Sequence, residues 1–250
     1  MRRRNLLFPS VLMLLISAGA MWIYDIMANR VLDNFTPEWK EVPEYTYLSP
    51  YIELSPYDQY FRQAADSLGY DWTLLAAIAF TESRFDSTAI SNVGARGVMQ
   101  VMPLTYRGFN IPDSLHEDSY TNIMAATMLL RSLEQCFQNI SDRKERLKFV
   151  LASYNAGVGH VNDAIRLANK YGYKKHVWEA NVDSFLIHKN HPKYYRDEAC
   201  HNGRFRGWRE TLSFVKKVHK NWRNFSSVQQ NYRDSIRLLI VSDNTIRILE

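Results

Sequence analysis

The sequence predicts a mainly helical protein built around one folded domain. Apolar residues recur at helical spacing through several long stretches, strand-like alternation is almost confined to the last residues, and no internal repeat or low-complexity block divides the chain. A length of 250 residues with 46% apolar and 23% charged side chains allows a sizeable core and one domain, two at most.

Arg2, Arg3, Arg4 and Asn5 precede an apolar run from Leu6 to Tyr24, the pattern of an export segment. At roughly 20 residues the run suits a short membrane span. Ala18-Gly19-Ala20 equally fits a small-x-small cleavage site. Residues 1–24 therefore read as a signal-anchor or as a signal peptide cleaved after Ala20. In both cases the positive flank stays inside and the rest is exported. Residues 25–55, rich in Pro, Tyr and acidic side chains from Asn34 to Ser55, read as a tether.

The folded domain is expected over residues 56–225. Pro56 to Leu68 has the pattern of an amphipathic helix that Gly69-Tyr70 breaks. Asp71 suits the N-cap of a second helix through Trp72, Leu75, Ala76, Ile78 and Ala79 into Glu82. From Asp86 to Pro103, Asn92, Gly94, Gly97 and Pro103 punctuate too often for a long element, so a structured loop is expected. Helical patterns return at Asn122 to Phe137, Leu147 to Tyr154, His160 to Tyr171 and Arg209 to Trp222. Residues 226–250 read as a tail. Within it Ile236 to Leu249 alternates enough for a short hairpin turned at Ser242-Asp243-Asn244, with a terminal helix as the competing reading.

Lys and Arg outnumber Asp and Glu by 31 to 26, a net charge of +5 without a dense basic run. Such an excess suits an acidic polymer or a membrane surface and is too weak to argue for nucleic acid. Cys136 and Cys200 allow one disulfide or two unlinked thiols, and neither lies in a nucleophile motif. His176, His188, His191 and His201 fit no zinc spacing, so neither a metal nor another cofactor is expected.

The chemistry concentrates in residues 77–105, AIAFTESRFDSTAISNVGARGVMQVMPLT. Glu82 stands where an apolar helix meets a polar, glycine-bearing loop. A carboxyl against Ile78, Phe80 and Phe85 loses hydration, which disfavours its charged form and suits a general acid. Position alone would make it an ordinary surface glutamate; its company decides otherwise. Ser91, Gly94, Ala95, Gly97, Met99, Gln100, Met102, Pro103 and Thr105 follow at the spacing written Glu-Ser, an aromatic, then Ser-x-x-Gly-Ala-x-Gly-Leu-Met-Gln-x-Met-Pro-x-Thr, with Val98 in place of Leu. A second motif, Ala-Tyr-Asn-Ala-Gly-x-Gly, stands as Ser153 to Gly159.

In these two motifs the chain resembles the soluble lytic murein transglycosylase (SLT) family, with a catalytic domain like that of membrane-bound lytic transglycosylase F. The resemblance implies a lysozyme-like fold of goose type, with Glu82 ending a helix at the floor of a cleft. It further implies that peptidoglycan glycan strands are the partner, lined by Ser91, Gln100, Met102, Tyr154 and Asn155. The expected location is the bacterial envelope, in the periplasm and anchored in the inner membrane by residues 6–24 if these are retained.

An ordinary glycosidase needs a second carboxylate, and Asp86 is the nearest candidate; the loop signals argue against its sharing a helical face with Glu82. In the family, one glutamate protonates the glycosidic oxygen of the β-1,4 bond between N-acetylmuramic acid and N-acetylglucosamine. The same group then activates the muramoyl 6-hydroxyl, which closes a 1,6-anhydro ring. A hydrolytic muramidase and a non-catalytic glycan-binding protein are the rivals. Arg209 to Val215 is similar to the family's Glu-Thr-x-x-Tyr-Val motif, but Phe214 stands at the tyrosine's place. A hydroxyl is then supplied by another residue, such as Tyr194 or Tyr195, or not at all.

Overall fold

The computed structural model describes residues 46–242 and 246–248. The described residues divide into two units: 51–235, and 46–50 together with 236–242 and 246–248. In the second, β1 (Thr46–Leu48) pairs in parallel with β2 (Ile246–Ile248), Thr46 opposite Ile246 and Leu48 opposite Ile248. The expected export segment lies outside the described residues, and among the described ones no helix is long and apolar enough to cross a membrane.

The larger unit is helical, the class expected from the sequence. It contains α1 (Asp58–Leu68), α2 (Trp72–Glu82), α3 (Pro103–Gly108), α4 (Ser119–Cys136), α5 (Arg143–Ala156), α6 (Val158–Lys170), α7 (Asp183–His188), α8 (Pro192–Tyr195) and the first part of α9 (Trp208–Ser242). Helix α2 sits at its centre: every residue from Trp72 to Ala79 is buried, as expected of a helix that is apolar all round. Around it α1 packs on α2 and α4, and the contacts continue from α4 to α5, α5 to α6 and α6 to α7. Burying a side chain such as Leu75 or Ile78 contributes about 1.5–3 kcal/mol, and truncating either to Ala costs about 2–5 kcal/mol once the cavity is counted.

The helix ends follow from local chemistry. Gly69 closes α1 in the left-handed region at φ 74°. Asp71 caps α2 as expected, its Oδ1 accepting from Thr73 N at 2.9 Å, while its Oδ2 accepts from Trp222 Nε1 on α9 at 2.7 Å. Asp118 and Asp142 cap α4 and α5 in the same way. Gly157, at φ 84°, lets the chain turn from α5 directly into α6.

Two expected boundaries move. The tether ends before Tyr51: Ile52 N donates to Gln229 Oε1 at 3.2 Å, and buried Ser55 donates to Asp58 at 2.6 Å. No hairpin forms in the tail. Helix α9 runs on through Ser226, whose hydroxyl lies 2.8 Å from that of Thr73, and through buried Gln229; the strand that follows pairs in parallel with β1. Alternation over so short a stretch did not outweigh good helix formers with a buried face. Cys136 and Cys200 are not joined: Cys136 is exposed, and Cys200 Sγ contacts Asp163.

Candidate active site

Glu82 is the last residue of α2, so a buried helix fixes its backbone while its side chain is only half-buried. The chain leaves the helix at Ser83, whose hydroxyl donates to Val98 O at 2.8 Å and ties the helix end to the glycine-bearing loop. Arg84 and Phe85 then take left-handed conformations in succession, at φ 56° and 68°. Asp86 turns away: its Oδ1 accepts from Thr88 N and Oγ1 at 2.8 and 2.7 Å, and these bonds hold its carboxyl below the usual range. It closes its own turn and is no partner for Glu82.

Burial pushes the Glu82 carboxyl up to about 8, and the charge of Glu210 in the first turn of α9 adds to the shift. No hydrogen bond contributes. Glu210 is the carboxylate the sequence reading missed. It lies in the motif read only for its tyrosine position, and nothing in the sequence says that the start of α9 faces the end of α2.

The loop after Glu82 is held by one buried amide. Asn122 on α4 accepts from Met99 N at 2.8 Å and donates to Arg96 O at 2.9 Å and to Tyr106 Oη at 2.6 Å. Gly97 lies against it, where a Cβ would meet Asn122 Nδ2 at 2.8 Å, and its φ of 76° also excludes larger residues. The expected glycan-lining residues are partly engaged within this framework. Ser91 Oγ accepts from Ala95 N at 2.9 Å. Both hydrogens of the Gln100 amide nitrogen are committed, to Ala89 O and Gly97 O at 3.0 Å each, with its backbone at φ 50°. Met102, at the N-cap of α3, is exposed.

The second motif meets the first through Tyr154, whose hydroxyl donates to Met99 O at 2.7 Å. Burial and the charge of Glu82 push the Tyr154 hydroxyl far above its ordinary range, so it stays protonated. Phe214 stacks on this ring at 6.2 Å, with the planes 6° apart. The replacement of the family's tyrosine thus leaves an apolar contact in place of a hydroxyl. Tyr194 packs among Tyr171, Phe185 and His188, and Tyr154 is the tyrosine within electrostatic reach of Glu82. Asn155 Oδ1 accepts from the buried hydroxyl of Thr211 at 2.8 Å, which fastens α5 to α9 beside Glu210.

Behind the second motif lies a charged hub that sequence reasoning did not find. Asp163 and Lys189 are fully buried and paired. Asp163 also takes the Arg166 guanidinium and the backbone N–H groups of His201 and Asn202, both at 2.9 Å. Burial alone would raise the Asp163 carboxyl, but these donors outweigh it and hold it well below the usual range. Asn202 closes over Gly159, where a Cβ would meet its Oδ1 at 2.6 Å. His188 stacks on Tyr194 at 4.8 Å. Among the described residues no group of His, Cys, Asp and Glu is arranged to hold a metal ion.

The family profile described as Transglycosylase SLT domain matches residues 59–177. The chain is 33% identical over 168 residues to membrane-bound lytic murein transglycosylase F of Desulfosudis oleivorans, covering 67% of this chain and 36% of that protein. It is 34% identical over 167 residues to the protein of the same name from Maricaulis maris, covering 67% and 35%. The chain thus spans about a third of the length of these curated relatives. Among solved structures, the 70 kDa soluble lytic transglycosylase of Escherichia coli is 26% identical with a TM-score of 0.46, covering 69% of this chain and 24% of that one. Residues 59–177, which hold Glu82, its loop and the Tyr154 motif, are a transglycosylase SLT domain.

Proposed function

We propose that the chain is a peptidoglycan lytic transglycosylase that cuts the β-1,4 bond between N-acetylmuramic acid and N-acetylglucosamine and leaves a 1,6-anhydromuramoyl end. The observation that carries the proposal is the half-buried Glu82 carboxyl, raised to about 8 beside Glu210. Near neutral pH it holds the proton that the departing glycosidic oxygen needs. Once that proton is given up, the same desolvation and the same neighbouring charge make the carboxylate a strong base for the muramoyl 6-hydroxyl. One group then serves as acid and base in turn.

Ser91, Gln100, Met102, Tyr154 and Asn155 line the strand in this reading. Gln100 offers chiefly its carbonyl oxygen, since its donors are used within the loop. The catalytic domain is the unit from Tyr51 to Ser235, and the chain acts after export, held to the membrane by residues 6–24.

Digestion of purified sacculi by the wild type and Glu82→Gln, with mass analysis of the products, tests the proposal. Wild type is expected to release anhydro-muropeptides, lighter by one water than hydrolysis products and resistant to borohydride, and the variant none. Glu210 favours a second reading, a hydrolytic muramidase in which it directs water to C1. Glu210→Gln separates the two. If Glu210 only tunes Glu82, activity survives and its alkaline limb moves to lower pH; if Glu210 is the base for water, activity is lost.

A further inference from the structure

Helix α9 has a second working face. Glu210, Thr211 and Phe214 serve the Glu82 side, whereas Leu212, Val215, His219 and Trp222 line a separate cavity of about 890 Å³ that Glu82 does not touch. Leu74 at the start of α2, Leu147 and Val150 of α5, and Trp178 complete an apolar floor. The volume lies within the range of sites that take small ligands rather than flat protein surfaces.

Six carboxylates and five Lys or Arg side chains surround this floor. Most of the acids are committed: Glu145 to Lys148 and Trp178 N, Glu179 to Lys148, Glu134 to Tyr70 and Arg146, and Asp142 to the α5 cap. On the rim Arg143, Lys216 and Arg223 are exposed and, among the described residues, have no acidic partner, whereas Lys144 lies beside Asp142. Asp183 likewise lacks a cation: its bond is to the neighbouring Ser184, and burial raises its carboxyl. At the floor the ring nitrogen Nε2 of His219 is shielded from solvent yet has no hydrogen-bond partner. A buried polar atom without a partner destabilises the fold until a ligand supplies one. Burial, with the nearby charges of Lys148 and Arg223, keeps the ring neutral.

We propose that this cavity binds a short peptide carrying both carboxylates and an ammonium group, the chemistry of the peptide stems borne by peptidoglycan strands. The carboxylates meet the unpaired cations of the rim, the ammonium meets Asp183, small apolar side chains lie over the two tryptophans, and a peptide group satisfies His219. Naming stems on the strand as the source rests on the peptidoglycan reading above; the peptide chemistry does not.

The test uses the full chain carrying Glu82→Gln, so that no substrate is cut. Calorimetric titration with free L-alanyl-γ-D-glutamyl-meso-diaminopimelyl-D-alanine is expected to show binding. Adding Lys216→Glu and Arg223→Glu together should weaken it by roughly tenfold or more, since charge-assisted contacts become repulsive. His219→Phe, which keeps the ring and removes the nitrogens, should weaken it as well. Absence of binding, or equal affinity in the rim variant, overturns the site. Co-sedimentation identifies the source. Intact sacculi should retain the rim variant less than its parent, and peptide-stripped sacculi should retain the two alike. Equal retention on intact sacculi would overturn the assignment to strand-borne stems. Because binding is read on an inactive protein with a free peptide, its outcome is independent of whether the digestion above succeeds.

Discussion

The two motifs use the same device with opposite chemistry. In each, a glycine lies so close to an asparagine amide that a Cβ would collide with it: Gly97 with Asn122, and Gly159 with Asn202. Asn122 is a neutral clamp on a helix, bonded to three groups of the loop and of α3. Asn202 sits on a loop and is held by buried Asp163, which in turn pairs with Lys189. The loop beside Glu82 is therefore clamped by a neutral amide, whereas the wall behind Tyr154 depends on an ion pair. Keeping buried charges out of the Glu82 loop leaves Glu210 as the neighbouring charge that tunes the Glu82 carboxyl.

Breaking the charged side should cost most. Lys189→Met leaves Asp163 buried without its main partner, and a loss of about 3–5 kcal/mol is expected in urea unfolding. Should the variant unfold like the wild type, the hub is not what holds this wall. Asn122→Leu strands Met99 N and Arg96 O, and should lower stability by about 2–4 kcal/mol. It should also reduce clearance of sacculi, because Val98, bonded to Ser83, belongs to the same loop.

The glycines grade the comparison further. Gly97→Ala combines a positive φ with an amide that cannot move, so about 2–4 kcal/mol is expected, whereas Gly159→Ala meets an amide on a loop and should cost about 1 kcal/mol. Equal losses in thermal melts would mean that the two asparagines are equally fixed.

The last effect is on pH. Asp163 has a depressed carboxyl, so its contribution is present above the unfolded value near 3.8 and is lost as pH falls through the folded value. Glu82 has a raised one, so folding retains a proton that the unfolded chain has released. Stability then falls as pH rises from about 4.5 to about 8. Glu82→Gln should flatten that upper slope and leave the acid side unchanged in denaturation series across pH. A slope that persists in the variant would assign it to another group.

Much of this was legible in advance. The capping aspartate, the apolar stretch of α2 and the loop signals from Asp86 onward are local, and they placed Glu82 at the end of a helix. The partners of Gln100, the approach of Glu210 and the Asp163–Lys189 pair depend on which side chains the fold brings together over long separations. A buried lysine and a buried asparagine look, in a sequence, like any surface residues. The course of α9 past Ser226 was missed because its inner face carries Ser226 and Gln229, polar residues that pair rather than signal burial.

Helix α9 also constrains how this chain can change over generations. Its residues advance by about 100° each around the axis. One inserted or deleted residue between Thr211 and Trp222 would therefore turn the Asp71 anchor away from its indole while Glu210 stayed in place. Length changes of three or four residues nearly restore the phase, so variation in this segment should come as whole turns, with single-residue length changes purged.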